Sequence, residues 1–488
     1  MRRRPPHLAI FITLGLLILL GCVSIATLAP QLQYSTSPAD RPLLIFVALY
    51  LTIGLLYLAT LPLLKHLPPT RSLLLIILAV GLLMRLPMFT APPILEDDYH
   101  RYLWDGSVTA HAQNPYRTAP ADVAASEANP AAGNTLRQIN HPQYTTIYPP
   151  VAQSAFAAAY LIQPFSHQAW RSIVLLCDLA TVALLLLIVI RLNLPPPVIA
   201  LYWWCPLIAI ELTQRLHMDV LLLPLVLAAV ASAIARRATL TGLLLGLAAG
   251  VKIWPLILAP VLLYQPRIPR RAMLTGVAVA GFVTLLMIAP MLLTAGPADS
   301  AGLVAYTAHW HNNSALYLLL QYALHPLAHL TPLDAADAHY LARPLLAITY
   351  LLTLPLIIYL TPLPPSERPS EEAGSPQLLT HTETRPLLLR TIAAIALLFL
   401  LSPAQFPWYL TWLIAPAALA WPAVGRHHQL LISAMLVYVA TLPVYYLTYD
   451  YPMLVFAVHL PPWIAIMMAV RWMKRTANPS VPTSAASA

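Results

Sequence analysis

Runs of about 20 apolar residues recur along the whole chain and alternate with short polar segments, which is the pattern of helices that cross a bilayer. Lipid offers no hydrogen-bond partner to backbone groups, so spanning segments of this length are helical. The pattern predicts an all-α, polytopic membrane protein with about 12–14 membrane segments within residues 1–478. The predicted spans are Leu8–Leu28, Leu43–Leu64, Leu73–Phe89, Ile173–Ile190, Val198–Thr213, Leu221–Ala235, Met273–Leu293, Leu345–Leu360, Leu387–Leu401, Tyr409–Trp421, Leu430–Leu447 and Met453–Val470.

Three other apolar stretches do not fit simple spans. Val151–Phe165 is too short to cross, so we expect it to lie in the interface or to re-enter the membrane, and Ala315–Leu330 is interrupted by His and Pro and is expected to be interfacial. Leu240–Tyr264 lies between two basic pairs, so both of its ends should face the same side. This arrangement predicts a hairpin of two short helices with Lys252 near its tip.

The polar segments and basic clusters predict the topology. Residues 90–150 form the longest polar loop, which is acidic at its start and is expected to be extracytoplasmic. Residues 362–385 should form a flexible cytoplasmic linker, and residues 479–488 a disordered tail. Because Lys and Arg concentrate in alternate short loops and in Arg2–Arg4, we expect both termini in the cytoplasm and the protein in the inner (plasma) membrane.

Composition agrees with a chain dissolved in lipid. The 488 residues are 59% hydrophobic and 9% charged, and the net charge of +9 lies in short loops, so membrane lipid and not nucleic acid is the expected partner. The three cysteines lie in apolar segments and imply no disulfide framework. Asp178 and Glu211 lie within predicted spans and must be paired or face a cavity.

The candidate chemistry begins with three consecutive carboxylates, Glu96, Asp97 and Asp98, directly after the third predicted span. A carboxylate at a boundary between water and lipid suits a general base, because partial burial raises its pKa toward the working pH. The alternative is an acidic loop in water, or a helix N-terminus that favours negative charge. Asp105 is expected to cap a turn with Gly106.

Several motifs follow one another in a characteristic order. They are Glu96-Asp97-Asp98-Tyr99 to Trp104-Asp105-Gly106, Asn114-Pro115-Tyr116, Thr146–Gln153, Trp203–Asp219, Lys252–Pro260 and Phe406–Pro416. Together they resemble the polyprenol-phosphate-mannose-dependent mannosyltransferases of the GT-C superfamily, and the first also resembles the loop of GPI mannosyltransferase I. One position departs from that pattern, because Arg215 stands where the resemblance leads us to expect a small residue.

The resemblance implies an inverting glycosyltransferase with a catalytic outer loop, a polyprenyl-phosphate sugar donor (mannose is expected) and a glycan or lipid hydroxyl as acceptor. Asp98 matches the catalytic carboxylate of the family's loop, with Asp97 and Glu96 next. Cationic groups should stabilise the phosphate leaving group. The expected substrate-binding residues are Arg101, Tyr102, Arg215, His217, Asp219, Lys252, His309 and His311.

Each of these residues also has a purely structural interpretation. Lys252 could snorkel to the interface, and Arg101 could pair with Asp97 or Asp98. His217 and Asp219 could form a polar helix end, and His309 and His311 could be ordinary polar residues of a loop. No cofactor is expected; the His-x-His pair invites a divalent cation, but the sequence places no third ligand.

Aromatic residues near the predicted outer edge allow two interpretations. They could form the ordinary aromatic belt of a membrane protein or could stack on sugar rings. These residues are Trp104, Tyr116, Tyr148, Trp408, Tyr409 and Trp412.

Two alternative functions stay open at this stage. A transporter or lipid flippase would explain the intramembrane charges but not the ordered motifs of the loop. A related transferase could move glucose, arabinose or an amino sugar, because the sequence does not place the hydrogen bonds that select a sugar.

Overall fold

The computed structural model describes residues 6–123, 130–266, 268–294, 301–328, 338–363 and 381–477. Within these ranges the secondary structure is helical and contains no strand, apart from one isolated bridge between Asn312 and Ala404. The predicted all-α, polytopic fold is therefore confirmed.

The first part of the chain contains three long helices and then three shorter ones, of which two lie in the polar loop and the third follows it. They are α1 (Pro6–Leu28), α2 (Leu43–Thr60), α3 (Arg71–Thr90), α4 (Asp98–Ala110), α5 (Pro130–Leu136) and α6 (Pro150–Ile162).

The middle part begins with a long helix, continues through short and broken helices, and ends with another long helix. Its α-helices are α7 (His167–Arg191), α8 (Ile199–Trp203), α9 (Leu222–Ile234), α10 (Ala238–Ala249), α11 (Ala259–Leu263) and α12 (Arg270–Thr294). A π-helix (Ile208–Gln214) and two 3₁₀-helices (Met218–Leu221 and Trp254–Leu258) lie at the breaks.

The last part carries eight α-helices. They are α13 (Gly302–His309), α14 (Ala315–Ala328), α15 (Ala338–Leu360), α16 (His381–Leu401), α17 (Thr411–Ala423), α18 (Arg426–Leu436), α19 (Tyr438–Thr441) and α20 (Val455–Ala477). The 3₁₀-helices Pro407–Leu410 and Leu442–Leu447 lie before α17 and after α19.

Nine helical segments in the described ranges are long and apolar enough to cross a bilayer, or ten if the pair Pro196–Trp203 and Ile208–Gln214, bent by 53°, counts as one broken span. The predicted 12–14 membrane segments are reached only when four shorter apolar helices are included. The predicted span Leu221–Ala235 appears among the shorter helices, and the predicted span Tyr409–Trp421 does not appear among the candidate spans. Its helix α17 has 13 residues, and every residue from Thr411 to Trp421 is buried by the surrounding helices. This stretch is apolar because it lies in the protein core.

The predicted hairpin around Lys252 is confirmed. Helix α10 ends at Ala249, the chain turns through Gly250–Ile253, and a 3₁₀-helix and α11 return it. The short helix α6 touches this turn, since the N–H groups of Val151 and Ala152 donate to the Gly250 carbonyl (2.9 and 3.3 Å). Lys252 is thereby brought beside the long polar loop.

The two carboxylates within predicted spans are both paired. Asp178 accepts from the Arg85 guanidinium and the Tyr202 hydroxyl (both 2.7 Å), while Glu211 accepts from Tyr50 and Tyr446. All of these side chains but Tyr446 (5% exposed) are essentially inaccessible to solvent. Pairing of this kind is what makes charge tolerable inside a membrane protein.

The polar loop is folded against the helices. A Cβ at Gly106 of α4 would clash with the backbone of Phe156 in α6, so glycine permits their close approach. Gln153 of α6 donates to Asp105 (3.2 Å) and to Thr146 (3.0 Å), which pins the start and end of the loop together.

Some predicted segments lie wholly or partly outside the described residues. These include residues 364–380 of the predicted linker and the whole predicted tail, residues 479–488. Helix α16 begins at His381, so the last five residues of the predicted linker are helical.

Candidate active site

The acidic stretch Glu96–Asp98 leads into α4, and the residue before it has a strained backbone. Leu95 adopts a left-handed conformation (φ 47°), and its N–H donates to the Leu32 carbonyl (2.8 Å). Strained non-glycine residues often mark functional sites. The next residue, Glu96, turns back so that Oε1 accepts the N–H groups of Asp97 (3.0 Å) and Asp98 (2.9 Å), the first of which precedes α4 and the second of which begins it.

The other oxygen of Glu96 faces two basic side chains. Oε2 lies 2.9 Å from Arg215 Nη2 and 2.9 Å from His217 Nε2. Burial raises the pKa of Glu96, but His217 and Arg215 outweigh it and lower that pKa to about 2. Glu96 is therefore ionised and fully engaged, which makes it a poor proton acceptor.

Arg215 and His217 are presented by a second irregular segment. The π-helix Ile208–Gln214 precedes them, and Leu216 between them is left-handed (φ 68°). The Trp170 indole donates to the Leu216 carbonyl (2.8 Å) and fixes this turn. The His217 ring stacks on Trp408 with centroids 3.6 Å apart. These contacts point both side chains at the acidic loop.

Asp219, which is buried, and Lys252, which is partly exposed, form a further ion pair. Lys252 Nζ lies 2.7 and 2.9 Å from the two Asp219 oxygens, and the Trp412 indole donates to Oδ1 (2.7 Å). Nζ also lies over the Tyr409 ring, 4.5 Å from its centroid. An ammonium has three donors, so one Lys252 proton stays available to a ligand.

Asp98 lies between these two groups and, among the described residues, its carboxylate makes no hydrogen bond or ion pair. Burial raises the pKa of Asp98 well above its usual range, and the charges of Glu96 and Asp97 raise it further. Lys252 and Arg215 act in the opposite direction. A half-buried carboxyl whose pKa is raised binds a proton more tightly than a carboxyl in water, which favours a role as general base.

Asp97 has a different environment. Burial and the Glu96 charge raise its pKa to about 7, against a hydrogen bond from the Tyr34 hydroxyl that lowers it. Tyr34 lies in the short segment between α1 and α2 and was not anticipated from the sequence, because nothing in that segment marks it. The three neighbouring carboxyls thus have three different proton affinities.

Aromatic side chains build the wall of the site. Tyr102 stacks on Phe156 (4.8 Å) and meets Tyr148 edge-on (5.3 Å), and the Tyr306 hydroxyl lies 2.6 Å from that of Tyr409. Trp408, Tyr409 and Trp412 are at most 9% exposed, so they do not belong to a lipid-facing belt. Tyr306, which the sequence analysis missed, closes the site through α13.

Arg101 is held by its own helix. Its guanidinium pairs with Asp105 (3.0 Å) and donates to the Tyr144 carbonyl (3.0 Å), so it does not pair with Asp97 or Asp98. Asp105 lies within α4, so the prediction that it caps a turn is wrong. Helix α4 continues to Ala110 because Asp105 is satisfied by Arg101 and Gln153.

The structure does not show the two predicted loop histidines, His309 and His311, beside Asp98 and its neighbouring charged residues. The side chain of His309 lies outside the described part of the structure, and the His311 ring packs near Tyr317, 5.6 Å between centroids. Among the described residues, Glu96, Asp98 and His217 instead form a group whose potential ligand atoms lie within 4.8 Å of one another. Arg215 contacts Glu96 Oε2, and its positive charge opposes a cation there.

The Asp219–Lys252 pair generates a stability prediction. We expect Lys252→Met to destabilise the protein strongly, because it leaves a buried carboxylate without its cation. The loss should be below the roughly 3–5 kcal/mol of a fully buried pair, because the Lys252 side chain is 21% exposed.

The double variant Lys252→Met with Asp219→Asn should recover part of this loss, since no charge is then left unpaired. Thermal melting in detergent, followed by size-exclusion chromatography, would compare the three proteins. A double variant less stable than Lys252→Met alone would contradict a direct pairing.

Comparison with known proteins shows to which family the chain belongs. No curated protein matches the chain significantly. The model of the MptA_B family, described as the N-terminal domain of alpha-(1->6)-mannopyranosyltransferase, matches residues 11–266, just over half of the chain. That range contains the acidic loop, the Arg215–Asp219 segment and Lys252. The chain therefore belongs to the family of α-(1→6)-mannopyranosyltransferases, which are glycosyltransferases, and in this protein the enzyme is built from membrane helices.

Proposed function

We propose that this protein moves a mannosyl group from a polyprenyl-phosphate carrier to a hydroxyl of a glycan or lipid, with inversion at the anomeric carbon. The observation that carries the proposal is the half-buried, unpaired carboxylate of Asp98 between two cationic groups. Family membership supports the mannosyl group. Membership of a glycosyltransferase family makes a transporter the weaker interpretation, because an enzyme of this family accounts both for the intramembrane charges and for the loop motifs.

In the proposed reaction Asp98 takes the proton of the acceptor hydroxyl. The hydroxyl oxygen attacks the anomeric carbon from the face opposite the phosphate, and the C–O bond to the phosphate breaks with its electron pair passing to the phosphate oxygen. Lys252, Arg215 and His217 donate to that oxygen or its neighbours and stabilise the charge that builds there. A single displacement of this kind inverts the anomeric centre.

The site is proposed to face the extracytoplasmic side. Helix α3 begins at Arg71 and ends just before the acidic loop, and α7 begins at His167, whose ring lies 6.4 Å from Tyr99, and ends at Arg191. At about 1.5 Å per residue, Arg71 and Arg191 lie roughly 30 Å or more from the site. Basic helix ends of this kind face the cytoplasm. In this proposal the N-terminal end of α1 and the C-terminal end of α20 also face the cytoplasm.

The first experiment compares the wild type with Asp98→Asn in lipid, using labelled polyprenyl-phosphate mannose and a membrane extract as acceptor. We expect transfer by the wild type and a loss of about 10²–10⁴-fold in the variant, the usual contribution of a general base. The control is Asp122→Asn, an exposed carboxylate of the same loop.

Full transfer by Asp98→Asn would move the base to Asp97, because Glu96 is already bound by Arg215 and His217. Transfer only from glucose, arabinose or amino-sugar carriers would refute mannose, and no transfer from any carrier would refute the reaction.

The pH dependence follows from the same carboxyls. Asp98 must be ionised to accept a proton, so kcat/KM should fall as the pH drops through its raised pKa. Since the Asp97 charge raises that pKa, Asp97→Asn should move the acid limb to lower pH. Profiles of kcat/KM against pH for the wild type and Asp97→Asn would measure the shift, with Asp122→Asn unchanged. A shift to higher pH would exclude this coupling.

The reaction is proposed to need no divalent cation, because Arg215 already neutralises Glu96 where a metal would bind. Initial rates measured with excess EDTA should match those without it. Inactivation by EDTA that Mg²⁺ or Mn²⁺ reverses would instead assign Glu96, Asp98 and His217 as ligands.

A further inference from the structure

Glu211 is a buried carboxylate that the proposed reaction does not use. Its side chain is 0% exposed and lies on the π-helix Ile208–Gln214. Single π-helical turns are rare and are frequent at functional sites. An ionised group at this depth is costly unless it is bound on all sides.

Both oxygens of Glu211 are directed by specific partners. Oε1 accepts from the hydroxyls of Tyr50 (3.0 Å) and Tyr446 (2.7 Å). Oε2 lies 3.2 Å from Arg215 Nε in an ion pair without hydrogen-bond geometry. The two hydroxyls fix the position of Oε1, and Oε2 faces the guanidinium.

The tyrosines are themselves held by close helix packing. Tyr50 lies on α2, and a Cβ at Gly54 one turn later would lie 2.6 Å from Ala440 Cα in α19. Tyr446 follows α19 in the 3₁₀-helix Leu442–Leu447. Helices distant in sequence therefore converge on Glu211 and determine where its charge lies.

Arg215 is the link from Glu211 to the reacting groups. Its Nε faces Glu211, its Nη2 contacts Glu96 (2.9 Å), and the Tyr446 ring lies 4.7 Å from its Cζ. Nη1 is buried and has no hydrogen-bond partner, and the contact of Nε with Glu211 is an ion pair without hydrogen-bond geometry. A guanidinium held by carboxylates on two edges has little freedom to rotate, so its remaining donor keeps a fixed direction.

We propose that Glu211 is a positioning residue, which fixes the Arg215 guanidinium on Glu96 and leaves Nη1 for an anionic oxygen of the phosphate leaving group. This inference rests on the proposed function. Arg215 departs from the family pattern expected from the sequence, and Glu211 with its two hydroxyls explains how so large a cation is accommodated there.

The test compares Glu211→Gln with Asp178→Asn under the lipid assay. Asp178 is the matched control, since it is equally buried and bound by an arginine and a tyrosine but contacts no residue of the cluster. We expect kcat per folded molecule to fall about 10–100-fold in Glu211→Gln, as small misplacements of a charged group cause. In Asp178→Asn kcat should stay within about threefold while the melting temperature falls.

A double-mutant cycle separates positioning from mere stability. In an Arg215→Gln background, adding Glu211→Gln should lower kcat by less than about twofold, because the residue through which Glu211 acts is gone. An independent, multiplicative loss would overturn the proposal, as would equal effects of Glu211→Gln and Asp178→Asn on kcat.

The variants Tyr50→Phe and Tyr446→Phe cover the case in which Glu211→Gln fails to fold. They keep every charge and remove only the hydroxyls, and together they should lower kcat by about 3–10-fold. Unchanged kcat in the double Phe variant would overturn the proposal. Absence of transfer by the wild type would refute the proposed function itself, and this inference with it.

Discussion

The site depends on one carboxylate that does not carry out the proposed chemistry. Glu96 binds the first N–H groups of α4 through one oxygen and Arg215 and His217 through the other. It thereby joins the polar loop to the broken helix in the membrane domain. Because Glu96 stays ionised, its charge also raises the pKa of Asp98 and Asp97. Glu96 therefore both positions Asp98, the proposed base, and raises its proton affinity.

Because many charged side chains are buried, each must be paired with a group of opposite charge. The described structure places Glu96, Glu211 and Arg215 in one chain of contacts and pairs Asp219 with Lys252. Each cation that balances a structural carboxylate keeps a donor that a phosphate could use. In the proposed reaction, the groups that balance the buried carboxylates would therefore also stabilise the anionic leaving group.

Much of this could be predicted from the sequence. Apolar runs identified most spans, and the basic pairs at both ends of Leu240–Tyr264 predicted the hairpin with Lys252 near its tip. Tyr34, Tyr306 and the link from Glu211 to Arg215 could not be predicted, since they depend on contacts between helices far apart in the chain. The burial of Tyr409–Trp421 could not be predicted, because a core helix and a lipid-facing helix have the same apolar composition.

The most direct test is the stereochemistry of the product. A polyprenyl-phosphate mannose of known anomeric configuration would be supplied to the protein in lipid, and the configuration of the transferred sugar read by NMR from its one-bond C1–H1 coupling. A single displacement assisted by Asp98 predicts the opposite configuration in the product. Retained configuration would contradict the account, because it requires a nucleophile on the enzyme and a second displacement.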